Sequence, residues 1–209
     1  MKIVGEAGLS AVVLAGGLAR RMGGGDKPLV SLGGRPLLRH ILERIGPQVS
    51  GIALNANDDP ARYRSYALPI LPDSVAGRPG PLAGILAALD WAAAQAQPDV
   101  LTVPGDTPFL PVDLMARLAA AVAAGAPAAI ASSGGRRHPI AGLWPTAARE
   151  DLRRAVTEEG LRRVEDWVVR LGAVTVDFAI DPVDPFFNLN TPEDVIVAER
   201  LLNCLADTR

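Results

Sequence analysis

Short apolar runs and longer helical patterns alternate along this chain, and that alternation is the signature of a mostly parallel α/β sheet with crossover helices. Ser10–Leu14 reads as the first buried strand. A helix from Pro36 to Ile45 follows, with proline at its start and Gly46-Pro47 as its stop. Gly51–Asn55 reads as a second strand, Ala61–Ala67 as a short helix and Pro69–Leu71 as a brief third strand. Leu82, Ile85, Leu86 and Leu89 recur at helical spacing within Pro81–Gln97, which Pro98 closes. Asp99–Val103 reads as a fourth strand, buried on both faces. Pro111–Ala124 is a helix with Leu114, Leu118 and Val122 on one face. Beyond Gly125 the regularity weakens. Strands are expected at Ala128–Ala131, Ile140–Trp144 and Val174–Asp177, helices at Ala147–Thr157 and Leu161–Leu171, and a closing helix at Thr191–Leu205.

A chain of 209 residues with 49% apolar composition fills one domain with a substantial core. The sequence has no internal repeat, low-complexity tract or interdomain linker. Twenty-one basic residues against twenty-three acidic ones give a net charge of −2, which predicts no extended nucleic-acid or membrane footprint. Any phosphate site is therefore local. The single cysteine, Cys204, excludes an intramolecular disulfide and a cysteine-based zinc cluster, and reads as a small apolar residue of the last helix. The opening MKIVGEAGLS lacks the apolar core of a signal peptide, and no run approaches the length of a membrane span. A cytoplasmic location is expected.

The first strand runs into Leu14–Pro28, LAGGLARRMGGGDKP, with five glycines, two arginines and one lysine. Glycine lets backbone approach a ligand closely, and successive exposed N–H groups form an anion-binding nest. Arg20, Arg21 and Lys27 add full charges suited to a triphosphate. The loop is not a Walker A element, because Asp26 precedes Lys27 and Pro28 follows it. Nor does a G-x-G-x-x-G open a helix here, so a dinucleotide fingerprint is absent.

In open α/β sheets, ligands bind beyond the carboxyl ends of the strands. Asn55 ends the second strand, Asp73 follows the third and Asp106 the fourth, so these residues and the glycine loop are expected to share one crevice. Each alone also fits ordinary turn chemistry. Asp106, in Val-Pro-Gly-Asp-Thr-Pro-Phe, suits Mg²⁺ ligation, since that ion takes one or two carboxylates together with phosphate oxygens and water. The alternative, a cap for the helix near Pro111, requires Asp106 to act from several residues upstream.

These residues resemble the molybdenum cofactor guanylyltransferases of the nucleotidyltransferase superfamily. The resemblance rests on Leu14-Ala15-Gly16-Gly17 with Arg21-Met22-Gly23 and Asp26-Lys27, then Gly80-Pro81-Leu82-Ala83-Gly84, Pro104-Gly105-Asp106-Thr107-Pro108-Phe109 and Asn188-Leu189-Asn190-Thr191-Pro192-Glu193-Asp194, in order along nearly the whole chain. Ala19 departs from the serine often found at that position, which removes one hydroxyl contact to phosphate. The resemblance implies a three-layer αβα sandwich on a mostly parallel, Rossmann-like sheet, forming one domain over residues 1–209. Its N-terminal half would bind GTP and its C-terminal half would face molybdopterin. The implied reaction joins GMP from GTP to molybdenum-bound molybdopterin, with pyrophosphate released and Mg²⁺ as cofactor. By motif, Leu14, Ala15, Gly16, Gly17, Lys27, Asn55, Asp73 and Asp106 would contact GTP, Asp106 would hold Mg²⁺, and Gly84, Asn188 and Asn190 would lie toward the pterin. Arg21, Lys27 and Asp106 would carry the catalysis. A monomer is expected, in transient contact with other cofactor-biosynthesis proteins and molybdoenzymes. A cytidylyl or sugar-phosphate transferase, or a non-catalytic nucleotide-binding delivery protein, are the rival readings.

Thr191-Pro192-Glu193-Asp194 also has a purely local explanation as the capped start of a helix. Asn188 and Asn190 alternate in an extended segment and should share a face. Arg136, Arg137 and His138 read either as a basic patch for an anionic substrate or as a solvated hairpin tip. His40 is read as structural, and Trp91, Trp144 and Trp167 as packing residues.

Overall fold

The computed structural model describes residues 8–16, 27–57, 59–75 and 80–207. Its strands are β1 (Ser10–Leu14), β2 (Ser31–Leu32), β3 (Arg35–Pro36), β4 (Gly51–Asn55), β5 (Ile70–Leu71), β6 (Asp99–Pro104), β7 (Ala129–Ser133), β8 (Arg136–Pro145) and β9 (Val174–Phe178). Its α-helices are α1 (Leu37–Ile45), α2 (Pro81–Ala94), α3 (Leu114–Ala123), α4 (Arg149–Thr157), α5 (Val164–Leu171) and α6 (Pro192–Asp207). Seven strands form one sheet in the order β5-β4-β1-β6-β8-β7-β9, and β2 pairs with β3 as a separate antiparallel ribbon. Only β8 runs against its sheet neighbours.

The two-residue period of β1 splits the core into two layers. Ala11 and Val13 point to α1 and α3, meeting Leu38, Ile41, Leu114 and Leu118. Val12 points to the other face, toward Leu82, Ile85 and Leu89 of α2 and toward Trp144 and Trp167. Helices thus cover both faces of a mostly parallel sheet, as the alternating pattern predicts. A smaller cluster of Leu32, Leu37, Phe109, Leu189 and Ala198 seats α6 against the β2–β3 ribbon. No helix among the described residues is long and apolar enough to cross a membrane.

Differences from the sequence pattern have local causes. The β2–β3 ribbon was not expected; it turns at Gly33 and Gly34, both at positive φ, and takes Pro36 from the expected start of α1. The helix expected over Ala61–Ala67 is 3-10 in form (Pro60–Tyr66), held by Asp59 Oδ1 accepting from Ala61 N and ended by Ala67 at φ 52°. Helix α2 stops at Ala94 because Ala96 turns to φ 56°, and Gln97 serves instead to grip the start of β1. There Gln97 Oε1 accepts from Ser10 N at 3.0 Å while Nε2 donates to Ser10 Oγ at 2.8 Å. Helix α3 begins at Leu114, where Gln48 Oε1, not an aspartate, accepts from Met115 N at 2.8 Å. The expected helix over Leu161–Leu171 starts only at Val164, after an extended Arg163. Trp144 and Trp167 are fully buried, whereas Cys204 is exposed and not packed in the core.

Candidate active site

Strand β1 lies between β4 and β6, so its carboxyl end opens where their ends open too. There the chain forms a cavity of about 740 Å³. Leu14, Ala15, Gly16, Lys27, Asn55, Asp73, Asp106 and Asn188 all line it. The strand-end residues singled out from the sequence therefore meet in one crevice. Gly17 and Arg21 lie outside the described residues, as do Arg20 and Asp26.

At the centre, Lys27 Nζ donates to Asp106 Oδ2 at 2.6 Å and to Asn190 Oδ1 at 2.5 Å. Three segments far apart in sequence thus share one ammonium group. Asp106 is held by the turn that follows β6. A Cβ on Gly105 would come within 2.8 Å of Leu14 O, so only glycine lets this turn press against the end of β1. Gly105 N in turn donates to Leu14 O at 3.0 Å. Thr107 Oγ1 donates to Asp106 Oδ1 at 3.3 Å, and Asp106 O accepts from Leu189 N at 3.0 Å. Asp106 caps no helix: α3 starts at Leu114, past the intervening Asp113.

Asn188 and Asn190 flank the buried Leu189, as an extended segment requires. Asn188 lines the cavity, while Asn190 reaches it through Lys27. The start of α6 fixes this segment. Asp194 Oδ2 accepts from Asn190 N and Thr191 N at 2.8 Å each, and Thr191 Oγ1 accepts from Asp194 N at 3.3 Å. This reciprocal pairing is a capping box with aspartate in place of glutamate. The N–H of Asn190 holds the Asp194 carboxyl below its ordinary range, with Thr191 and the Lys27 charge adding to the effect.

One end of the cavity is built on β4. The Asn55 amide is buried and donates to Leu71 O and to Asp73 Oδ1, each at 3.0 Å. Asn57, a residue the sequence motifs did not single out, accepts from Asp73 N at 2.8 Å. Gly84 does not itself line the cavity; it packs in α2 against Asn55 and Leu14.

The opposite end is made by β8, the first turn of α5 and the segment around Phe186. Between the pairs Ile130–Gly142 and Ala131–His138, β8 bulges. That bulge turns Pro139, Ile140 and Ala141 into the cavity wall, and proline is tolerated there because a bulge needs no ladder N–H. Thr102 Oγ1 pins it by donating to Ile140 O at 2.7 Å and accepting from Trp144 Nε1 at 2.8 Å. Arg136, Arg137 and Arg163 line this end, with Arg137 paired to Glu165 at 3.1 Å. The hairpin tip is Gly134-Gly135, so these arginines belong to strand β8 and the start of α5. His138, far from being a solvated tip residue, is buried. His40 is buried elsewhere, its Nε2 against Leu32 O at 2.9 Å.

The family model for a MobA-like NTP transferase domain matches residues 11–172. A molybdenum cofactor guanylyltransferase of Rhodopseudomonas palustris (strain BisB5) is 51% identical over 203 residues, covering 95% of each chain. One from Bradyrhizobium sp. (strain ORS 278) is 52% identical over 193 residues, covering 91% of each. Among solved structures, molybdopterin-guanine dinucleotide biosynthesis protein A from Archaeoglobus fulgidus has the same fold, with a TM-score of 0.71 at 24% identity over 94% of this chain and 100% of that one. Sequence identity of this depth over almost the full length, joined to the domain match, means that the chain belongs to the MobA-like NTP transferase family.

Proposed function

We propose that this chain transfers GMP from GTP to the phosphate of molybdenum-bound molybdopterin, releasing pyrophosphate. The observation that carries the reading is Lys27, held between Asp106 and Asn190 at the middle of a two-ended cavity. The relatives described as molybdenum cofactor guanylyltransferases support the choice of substrates.

Both substrates are anions, so the chemical problem is mutual repulsion and charge on the leaving group. Positioning and electrostatic stabilisation are the means to solve it. The backbone of Ala15 and Gly16 and the Lys27 ammonium face the triphosphate. Asn55 and Asp73, with Leu14 beside them, receive the base and ribose at the β4 end. Arg136, Arg137 and Arg163 receive the anionic acceptor at the other end. The acceptor phosphate is already ionised near neutral pH and attacks the α-phosphorus without a general base.

The residues fit a Mg²⁺ ion bound mainly through its nucleotide. Asp106 offers one hard carboxylate at the cavity, and no group of three or more His, Cys, Asp or Glu among the described residues could form an all-protein cage. When bound, Mg²⁺ supplies Lewis-acid neutralisation of the phosphate oxygens. Asp106 would hold it, and Lys27 would turn from Asp106 to phosphate.

The test is pyrophosphate release from GTP, CTP and ATP, with and without molybdenum-loaded molybdopterin. Asp106→Asn keeps the side chain's shape and the Thr107 contact, and is expected to lower kcat about 100-fold or more with little loss of Tm. Wild-type turnover in that variant with Mg²⁺ would refute the role given to Asp106. Equal rates with CTP would refute the nucleotide.

A further inference from the structure

His138 lies at the arginine-lined end of the cavity, and its imidazole is held by a chain of bonds whose direction can be read. Phe186 N donates to Asp184 Oδ1 at 2.9 Å, and Ser133 Oγ donates to the same oxygen at 2.8 Å. The one hydroxyl proton of Ser133 is thereby committed. Ser133 Oγ lies 2.8 Å from His138 Nε2 and can only accept there, so Nε2 carries the ring proton. This order is unlike that of a nucleophile and its base, in which the serine would donate to the histidine. The ring also stacks on Phe186, with centroids 4.4 Å apart and planes at 18°, and Phe186 packs edge-on against Phe178. Its position and orientation are fixed.

That leaves Nδ1. Among the described residues it has no hydrogen-bond partner, yet it is not among their buried polar atoms left without one. His138, Phe186 and Asn188 line the cavity together. Burial is the main cause lowering the His138 pKa, with Arg136 adding to it against the opposing pull of Asp184, so the ring is neutral near pH 7. Two other acceptors at this end are already engaged, Glu165 by Arg137 and Ile140 O by Thr102, and the Asn188 amide is a further acceptor lining the cavity. The remaining side chains here include three arginines, which only donate. An anionic acceptor substrate finds its cations in them, but a heterocycle with N–H groups needs an acceptor.

We propose that His138 is a specificity-determining residue of the acceptor end. Its Nδ1 accepts a hydrogen bond from a ring or amino N–H of the acceptor's heterocycle, and Ser133 and Asp184 act as positioning residues that keep Nδ1 unprotonated. The proposal rests on the transfer reaction proposed above.

The experiment measures pyrophosphate release with GTP and molybdenum-loaded molybdopterin, each varied at saturating levels of the other, for wild type, His138→Ala, His138→Gln and Ser133→Ala. His138→Ala is expected to raise the acceptor KM about tenfold with the GTP KM unchanged. His138→Gln, which can donate to Ser133 and still accept from the ligand, is expected to recover part of that loss. Ser133→Ala, which frees the tautomer, is expected to raise the acceptor KM in the same direction. An unchanged acceptor KM in His138→Ala overturns the proposal. So does a parallel rise in the GTP KM, which would place the contact on guanine or make the effect structural. Should His138→Ala not fold, an acceptor KM for His138→Gln and Ser133→Ala equal to that of wild type overturns it equally. Failure of the wild-type enzyme to release pyrophosphate with these substrates is a different result and refutes the reaction itself.

Discussion

Gly84→Ala should destabilise the protein, against the usual effect of this substitution in a helix. In an ordinary helix interior the change stabilises by about 1 kcal/mol, because alanine has the higher helix propensity. At Gly84 a Cβ would lie 2.5 Å from Asn55 Oδ1, 3.2 Å from Asn55 Cγ and 3.1 Å from Leu14 Cδ2. Asn55 has little room to give, being 3% exposed and bonded to both Leu71 O and Asp73 Oδ1. Overpacking a site like this costs about 1–3 kcal/mol, and weakening two buried hydrogen bonds adds about 0.5–1.5 kcal/mol each. Set against the propensity gain, the net loss is about 3 kcal/mol, a fall in Tm of about 6–12 °C for a chain of this size. Calorimetry on Gly84→Ala, Asn55→Ala and the double variant tests the mechanism. With the asparagine removed, Gly84→Ala should be neutral or stabilising, so the two substitutions should couple strongly. The GTP KM of Gly84→Ala should rise as Asn55 and Asp73 shift. A stabilised Gly84→Ala variant, or additive effects in the cycle, would refute the account.

Two further outcomes follow from the titrating groups. The folded protein lowers the His138 pKa, so the unfolded chain binds that proton more readily, and stability falls as pH drops below about 6.5, levelling off once the folded ring also titrates. Urea midpoints at pH 7.5 and pH 5 should therefore differ more in wild type than in His138→Gln. The Asp194 carboxyl is also held low, so its cap is intact above pH 3.8 and is lost as pH falls through the lower folded value. Asp194→Ala should cost about 1 kcal/mol by urea unfolding and should also reduce kcat/KM, since Asn190 N and Thr191 N lose their acceptor next to Lys27; unchanged activity would show that the cap does not hold Asn190 in register.

The centre of the sheet was legible because β1 is buried on both faces and α3 carries one apolar stripe, so periodicity alone placed Ser10–Leu14, Gly51–Asn55 and α3 to within a few residues. The β2–β3 ribbon was not legible, because two-residue strands have no period; only the Gly33-Gly34 pair marks the turn. At the site, Asp106 and Asn55 were legible as polar residues at strand ends. Asn57 belongs to the same Leu-Asn-Ala-Asn stretch, but its bond to Asp73 depends on the tertiary approach of β5. The environment of His138 was hidden for a similar reason. Ser133 is five residues away across the hairpin, but Asp184 and Phe186 come from a distant irregular segment that no local pattern links to β8.

Lys27 shows why the closing part of the chain belongs to the site. The match to the shared transferase domain ends at residue 172, before Asn188 and Asn190. Yet Asn190 bonds the ammonium of Lys27, and Leu189 N bonds the backbone of Asp106, the other partner of that lysine. The α6 cap holds the segment from one side, and the buried Leu189 anchors it from the other. Without this segment Lys27 would lose one of the two contacts that fix its direction. When Lys27 turns from Asp106 to phosphate, a lysine still held by Asn190 gives up less conformational freedom than one swinging free, because part of that entropy is already lost in the folded state. In the reaction proposed above, the C-terminal residues would thus act through the lysine's orientation, and any ligand contact of Asn188 would come in addition.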